Sequence, residues 1–451
     1  MINQNGQEIQ LPNEIKFAFH ELGILKHLRD AGINKYEGFS GAYLFQTVFT
    51  LIFHHKNWFQ FLASKKGESY PGKDAVYRFL NHYGYAWRRF LLLLSSHIVQ
   101  RIKSLTSKQR VTALVIDDSM YDRNRSKKVE MLSRFWDHAA QCYYKGFRML
   151  TLAWSDGHTL IPVDFALLGS LKSQINCIFQ SIDKRSIGYK RRLEAFKPAT
   201  ELIPQMIERA LSAGITASYV LMDSWFTYAP LIQAIRSKGL DVIGMIKNTN
   251  QRYLVSGRSL SLSELYSAAT PLPGRKRILR SIRTCMVPNI PIMVVFVRHR
   301  THKNEWLAIV STDLSLSEEE IIRIYGMRWD IETFFKCAKS LLRLQKEFQG
   351  RSYDLLISHT TIVFSRYILL AWQHRYSTDQ RTFGGLFAQL CDEVGELDWA
   401  IALQQLLELI GEILNTTGKK LSKMISCQLM YWYDALPNYI KVYLPNLCCE
   451  S

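Results

Sequence analysis

The sequence contains no CxxC pair and no histidine–cysteine cluster at zinc spacing, although it has 8 cysteines. Neither a structural zinc nor a disulfide framework is therefore expected. No uninterrupted apolar run approaches the roughly 18 residues that a bilayer-spanning helix needs, and the polar first 14 residues do not resemble a signal peptide. These absences predict a protein of the reducing cytoplasm with no membrane partner. Acidic residues are the scarcer charge, 39 against 57 lysines and arginines, which leaves a net charge of +18 and a pI near 9.5. Such an excess predicts attraction to a polyanion, because cationic surfaces gain by releasing counterions from phosphates. At 451 residues the chain is long enough for more than one domain around a sizeable core.

Against this basic background, two apolar runs end in aspartate. Ala113-Leu-Val-Ile116 leads into Asp117-Asp118-Ser119, and Tyr219-Val-Leu-Met222 leads into Asp223-Ser224-Trp225. Short apolar runs bounded by polar residues read as buried strands of a sheet covered on both faces. An aspartate at the carboxyl end of such a strand lies on the rim where α/β sheets place their sites. One such residue usually caps the following turn. Two of them with a glutamate make a divalent-metal constellation, since Mg²⁺ prefers hard oxygen ligands and keeps several waters. Successive strand residues face opposite sides, so Asp117 and Asp118 cannot both point into one site.

The glutamate lies in Tyr325-Gly-Met-Arg328-Trp-Asp-Ile-Glu332-Thr-Phe-Phe-Lys-Cys-Ala-Lys339. At about 100° per residue, Tyr325, Arg328, Glu332 and Lys339 fall within roughly 60° of one another on a single helix. Ile324, Met327, Ile331, Phe334, Phe335 and Ala338 form an apolar docking arc beside them. Two readings of the stripe are open. A carboxylate flanked by two cations and a phenol suits a metal held beside a phosphate backbone. The same spacing also suits a solvated face laced by i,i+4 pairs such as Arg328–Glu332.

On these residues the chain resembles DDE transposases encoded by bacterial insertion sequences. More narrowly, it resembles the cut-and-paste group named for a tyrosine–arginine–glutamate–lysine pattern. Tyr325, Arg328, Glu332 and Lys339 match all four places of Y-x2-R-x3-E-x6-K, and Asp117 and Asp223 match the two aspartates. Residues 116–128 and 146–152 also look familial, and the likeness runs from about 70 to about 345. The resemblance implies an α/β protein with an RNase H-like core interrupted by a β-rich insertion. It implies binding of double-stranded DNA at terminal inverted repeats, strand cleavage at the element ends, often through a hairpin, and joining to target DNA. A homodimer on the DNA and a bacterial, nucleoid-associated location follow from it too. Phosphodiester cleavage needs an activated nucleophile, a stabilised leaving oxygen and charge neutralisation, which two Mg²⁺ ions about 3.5–4 Å apart supply. By resemblance, Asp117 bridges both ions, and Asp223 and Glu332 each complete one; Mn²⁺ can substitute. Arg328 and Lys339 then bind phosphates, and Tyr325 donates to a phosphate oxygen. The family pattern of an aspartate followed two residues later by Ser or Thr favours Asp117 over Asp118. Two other functions fit the same residues: a transposase-derived DNA-binding protein without strand transfer, and a plain metal nuclease of this fold.

Residues 1–105 read as a helical N-terminal DNA-binding region. There Pro71-Gly-Lys73 opens a helix at 74–81 that presents Lys73 and Arg78 to DNA in a helix-turn-helix, or merely packs. Residues 106–247 read as the first part of the core. They contain a hairpin of strands 146–154 and 159–166 around Asp156-Gly157, helices on both sides of Lys197-Pro198, a helix at 228–238 and a strand at 241–246. Residues 248–304 form the β-rich insertion, with a β-prone run at 292–297. Its cluster of Arg275, Lys276, Arg277, Arg280 and Arg283 reads as a phosphate track, with protection of a strand edge as the alternative. Residues 305–382 complete the core, and Ser317 with Glu320 forms a capping box at the start of the glutamate helix. Residues 383–451 are helical and either pack on the core or dimerise. Trp225 or Trp306 stacks on an extruded base or joins the core.

Overall fold

The computed structural model describes residues 11–436 apart from 36, 65–69, 108, 138–140, 179–181, 273–276, 300–304, 377–380 and 417, together with 441 and 444. Arg275 and Lys276 of the expected phosphate track lie outside the described residues.

Among the described residues, six α-helices come first: α1 (Asn13–Glu21), α2 (Ile24–Asp30), α3 (Gly41–Thr50), α4 (Trp58–Leu62), α5 (Lys73–Leu80) and α6 (Trp87–Ser104). Their inner faces interlock through aromatic rings, Phe19 edge-on to Phe49 at 4.8 Å and Phe45 edge-on to Phe90 at 5.4 Å, the arrangement that ring quadrupoles favour. Lys73 and Arg78 are exposed on α5, whose Arg78 Nε donates to the Asp74 carbonyl at 3.3 Å.

The sheet begins with β1 (Ala113–Asp122), β2 (Ser133–Asp137), β3 (Cys142–Ser155) and β4 (Leu160–Leu168). Helices α7 (Ile187–Glu194) and α8 (Ala199–Ser212) lie on either side of Lys197-Pro198 and lead to β5 (Tyr219–Met222), α9 (Ala229–Arg236) and β6 (Asp241–Ile246). β3 pairs antiparallel with β1, and β1, β5 and β6 run parallel. β3 is long enough to take two neighbours on its other edge, β2 along 142–146 and β4 along 148–155. Arg88 on α6 reaches the buried Asp164 of β4 at 2.9 Å, which fastens the helical N-terminal region to the sheet.

β1 corrects one expectation. The strand foreseen at 113–116, with Asp117 at its end, runs ten residues to Asp122. Its parallel neighbour β5 stops at Met222, opposite Ile116, while β3 pairs with β1 from Asp117 to Asp122. That antiparallel ladder carries the strand past the end of β5, and the Asp118 amide donates instead to Asp117 Oδ1 at 2.8 Å, so these polar residues do not end the strand. Asp117 therefore sits inside β1, one residue past the end of its parallel partner. Asp223 follows the last residue of β5, as its sequence suggested.

Beyond β6 come β7 (Tyr253–Val255), β8 (Arg258–Leu260), α10 (Leu262–Ala268), β9 (Thr270–Pro271), β10 (Ile278–Met286), β11 (Ile290–Arg298) and β12 (Trp306–Ser311). β12 pairs antiparallel with β6 on one side and β11 on the other, so these strands extend the same sheet, which has 12 strands among the described residues. Arg280 donates to the Ser267 and Ala269 carbonyls at 3.1 Å each, and Arg283 to the Leu314 carbonyl at 3.2 Å. Two of the expected phosphate-tracking arginines thus fasten backbone; Arg277 is exposed.

The glutamate stripe brings a second correction. It is not one regular helix but α11 (Glu318–Gly326), α12 (Trp329–Lys336) and a π-helical turn, Cys337–Leu341. Between α11 and α12 the bonds tighten to i→i+3, from Met327 to Ile324, Arg328 to Tyr325 and Asp330 to Met327, the 3₁₀ pattern of a helix end. The capping box of Ser317 and Glu320 is present.

Helix α13 (Tyr353–Tyr376) amends the membrane expectation. It is 24 residues long, and its most apolar 18-residue stretch, of mean hydropathy 1.4, is apolar enough to span a bilayer yet wholly buried within the protein. It carries Arg366 and His359 onto the buried Glu347, at 2.5 and 2.7 Å; a charge this deep is tolerated only when paired. Helix α14 (Phe383–Asn415) buries Leu386, Phe387, Leu390 and Val394 near its start, then exposes Trp399, Leu406, Leu409 and Ile413. Helix α15 (Lys419–Ala435) exposes Leu421, Met424 and Tyr431.

Candidate active site

Strand alternation sorts the two adjacent aspartates. Asp117 and Ser119 share one face of β1, the face on which α12 lies, and Asp118 takes the other. Arg148 of β3 pairs with Asp118 there. Arg328 comes from the joint between α11 and α12 and places Nη1 2.8 Å from Asp117 Oδ2. Its Nη2 lies 2.6 Å from Glu332 Oε1. One planar guanidinium thus ties the strand aspartate to the helix glutamate, which suits the rigid fork of arginine. The i,i+4 pair read from the sequence is real, but it is half of a tertiary bridge.

Further along the same face, Lys339 Nζ donates to Ser119 Oγ at 2.6 Å. The π-helical turn carries Lys339 to that point; a regular helix running on from α12 would present it at a different angle. Burial pushes the Lys339 ammonium below its ordinary range, with Asp122 and Asp137 opposing.

Asp223 is fixed by the turn that follows β5. Its Oδ1 accepts the Trp225 amide at 2.9 Å, and its carbonyl accepts the Thr227 hydroxyl at 2.6 Å. That turn needs Gly244 on β6, where a Cβ would come 2.3 Å from Thr227 Oγ1. Burial raises the Asp223 carboxyl above the usual range, opposed by the Trp225 amide and Arg328. Asp117 is pushed up to about 7, chiefly by burial and further by Asp223, with Arg328 pulling the other way. Both carboxylates are thus held where negative charge is costly, the condition a bound cation relieves.

Two buried hydroxyls face this group without a hydrogen-bond partner among the described residues. One is Tyr325 Oη, the other Thr151 Oγ1. Burial pushes the Tyr325 phenol up to about 12, and Arg328, 5.9 Å from the ring centroid, counters that shift from beside the ring rather than through a well-formed hydrogen bond. Thr151 is the cross-strand partner of Asp117 in the β1–β3 ladder and is fully buried. Sequence reasoning missed Thr151, because only strand register places it beside Asp117.

The structure therefore brings Asp117, Glu332, Arg328 and Tyr325 together, with Asp223 electrostatically coupled to Asp117 and Lys339 two residues along β1. It does not gather the carboxylates into a ready cage: among the described residues no three acidic, histidine or cysteine side chains converge to hold a metal ion. The donor chemistry still fits a hard divalent cation, with oxygen donors only, two raised carboxyls and two orphaned hydroxyls. Arg277 lies outside this group. Trp225 is 60% exposed beside Asp223, with Lys247 Nζ 5.0 Å from its ring centroid. Trp306 instead stacks on Tyr266 at 4.9 Å and packs edge-on to Phe296.

Fold and site together describe a mixed α/β protein with acidic residues on adjoining parallel strands and a helix laid across them. Residues 62–285 match the model of a family described as DDE superfamily endonuclease. That match supports a DDE transposase-type family, with metal-dependent nuclease chemistry on DNA. It takes in Asp117 and Asp223 and ends before Tyr325, so Glu332 and its stripe rest on the geometry above. No curated protein matches the chain.

Proposed function

We propose that this chain is a cut-and-paste transposase of an insertion sequence, with an RNase H-like core. In this reading it binds the terminal inverted repeats of its element as a homodimer, cleaves DNA strands at the ends and joins them to target DNA. The observation that carries the reading is the bridge from Asp117 through Arg328 to Glu332, which links the β1 aspartate to the Y-R-E-K stripe. An RNase H-like core is supported by β1 lying between antiparallel β3 and parallel β5.

Asp117, Asp223 and Glu332 would hold two Mg²⁺ ions, or Mn²⁺. Bound there, the ions would activate the attacking oxygen and neutralise charge on the phosphorus centre. The chain's own groups do the positioning. Arg328 offers a bidentate fork to a phosphate, Lys339 offers a point charge farther along β1, and the buried Tyr325 hydroxyl donates to a phosphate oxygen. Trp225, exposed beside Asp223 with Lys247 at its face, suits an unpaired base with its phosphate. The exposed apolar side chains of α14 and α15 support a second copy as their partner.

The test is incubation of the protein with the terminal repeats from its own locus, with and without Mg²⁺. Cleavage at the ends followed by joining is the expected result. A shift without cutting would make it a binding protein, and cutting without joining a nuclease.

A further inference from the structure

We infer that Arg328 makes metal binding and DNA binding depend on each other: its guanidinium competes with the metal for Asp117 and Glu332 until a DNA phosphate takes it over. The inference rests on the metal-dependent reading above and specifies how that site is regulated.

Arg328 engages one oxygen of each carboxylate, at 2.8 and 2.6 Å. A divalent cation on the same two groups would stand against a guanidinium whose side chain is only 13% exposed, where water screens repulsion poorly. Arg328 cannot simply withdraw, because a half-buried cation left without a counter-charge is costly. A phosphate supplies that counter-charge, and its paired oxygens fit the same fork that now grips two carboxylates. Tyr325, beside the guanidinium with its hydroxyl unbonded among the described residues, adds a second donor for that phosphate. DNA would therefore draw Arg328 off the carboxylates and strengthen metal binding, and by linkage metal would strengthen DNA binding by the same factor. Lys339 provides the contrast: its ammonium bonds the neutral Ser119 rather than Asp117 or Glu332.

The experiment measures free Mn²⁺ by electron paramagnetic resonance during titration of the wild type, Arg328→Ala, Lys339→Ala and Asp117→Asn, first alone and then with saturating terminal-repeat duplex. Without DNA, Arg328→Ala should bind Mn²⁺ about tenfold more tightly than wild type, within the usual range of coupling between sites, and Lys339→Ala should change little. Duplex should tighten Mn²⁺ binding about tenfold in the wild type and leave Arg328→Ala unmoved. The inference is overturned if Arg328→Ala binds no tighter, if Lys339→Ala tightens equally, or if DNA acts alike on both proteins. Arg328→Gln repeats the test should the alanine variant fail to fold. Asp117→Asn separates the two levels: Mn²⁺ binding equal to wild type there would mean the metal site itself is wrong, and the functional reading would fall with it.

Discussion

Asp117 and Asp118 are neighbours on one strand that answer to different arginines, Arg328 on the helix side of the sheet and Arg148 on the opposite side. A carboxylate on the far face cannot reach Glu332 without flipping the strand register. Asp117→Asn should therefore abolish cleavage while leaving binding of the ends intact. Asp118→Asn should keep measurable activity and cost no more than about 1 kcal/mol of stability, as expected for a partly exposed ion pair. A cleavage assay with the reverse ranking would overturn the assignment.

Cleavage should depend on divalent metal. The protein should be inert in EDTA and active in Mg²⁺ or Mn²⁺. Ca²⁺ should bind with little turnover, since it is larger and less demanding in geometry. Undiminished cutting in EDTA would remove the carboxylates from the chemistry.

Thr151 faces Asp117 across the β1–β3 ladder with its hydroxyl buried and unbonded among the described residues. Valine would fill the same space without the roughly 1–3 kcal/mol cost of an unsatisfied buried hydroxyl. Thr151→Val should thus melt no lower than wild type. A bound metal would give that hydroxyl a partner in its surroundings, so Mn²⁺ affinity should fall about tenfold, the usual effect of losing a supporting group around a metal. Thr151→Ser should restore it. Equal Mn²⁺ affinity in the valine variant and the wild type would reduce Thr151 to packing.

Lys339→Ala should leave the thermal melt nearly unchanged and slow single-turnover cleavage of a pre-bound end by about tenfold or more, because phosphate positioning supplies much of such catalysis. Ser119→Ala should slow it less, since serine only steadies the ammonium. If serine loss proved the more damaging, Lys339 would be serving Ser119 and not DNA.

Burial pushes the Asp117 carboxyl up to about 7, from an ordinary carboxyl value of 3.8. Between those values the folded state keeps a proton that the unfolded state releases, so this site's contribution to stability falls as pH rises and levels off above about 7. In EDTA, the melting temperature of Asp117→Asn relative to wild type should therefore climb from pH 4 to pH 8. A difference that stays flat across that range would contradict the raised value.

The sequence by itself determined the elements and the chemistry of their ends. Apolar runs at 219–222 and 241–246 became β5 and β6 as read, because short β-branched and apolar stretches between polar residues have few other ways to be buried. The Ser317–Glu320 box set the start of α11, since capping is local. The tertiary structure decided what those ends meet. Only pairing with β3 carried β1 past Asp117 and set Thr151 beside it. Only the break at Met327 and Arg328 turned that arginine onto a carboxylate 211 residues away. Only the π-helical turn delivered Lys339 to Ser119. Local spacing fixes which residues share a face of one element, but register between strands and the angle of a helix across a sheet are set by contacts that no single segment contains.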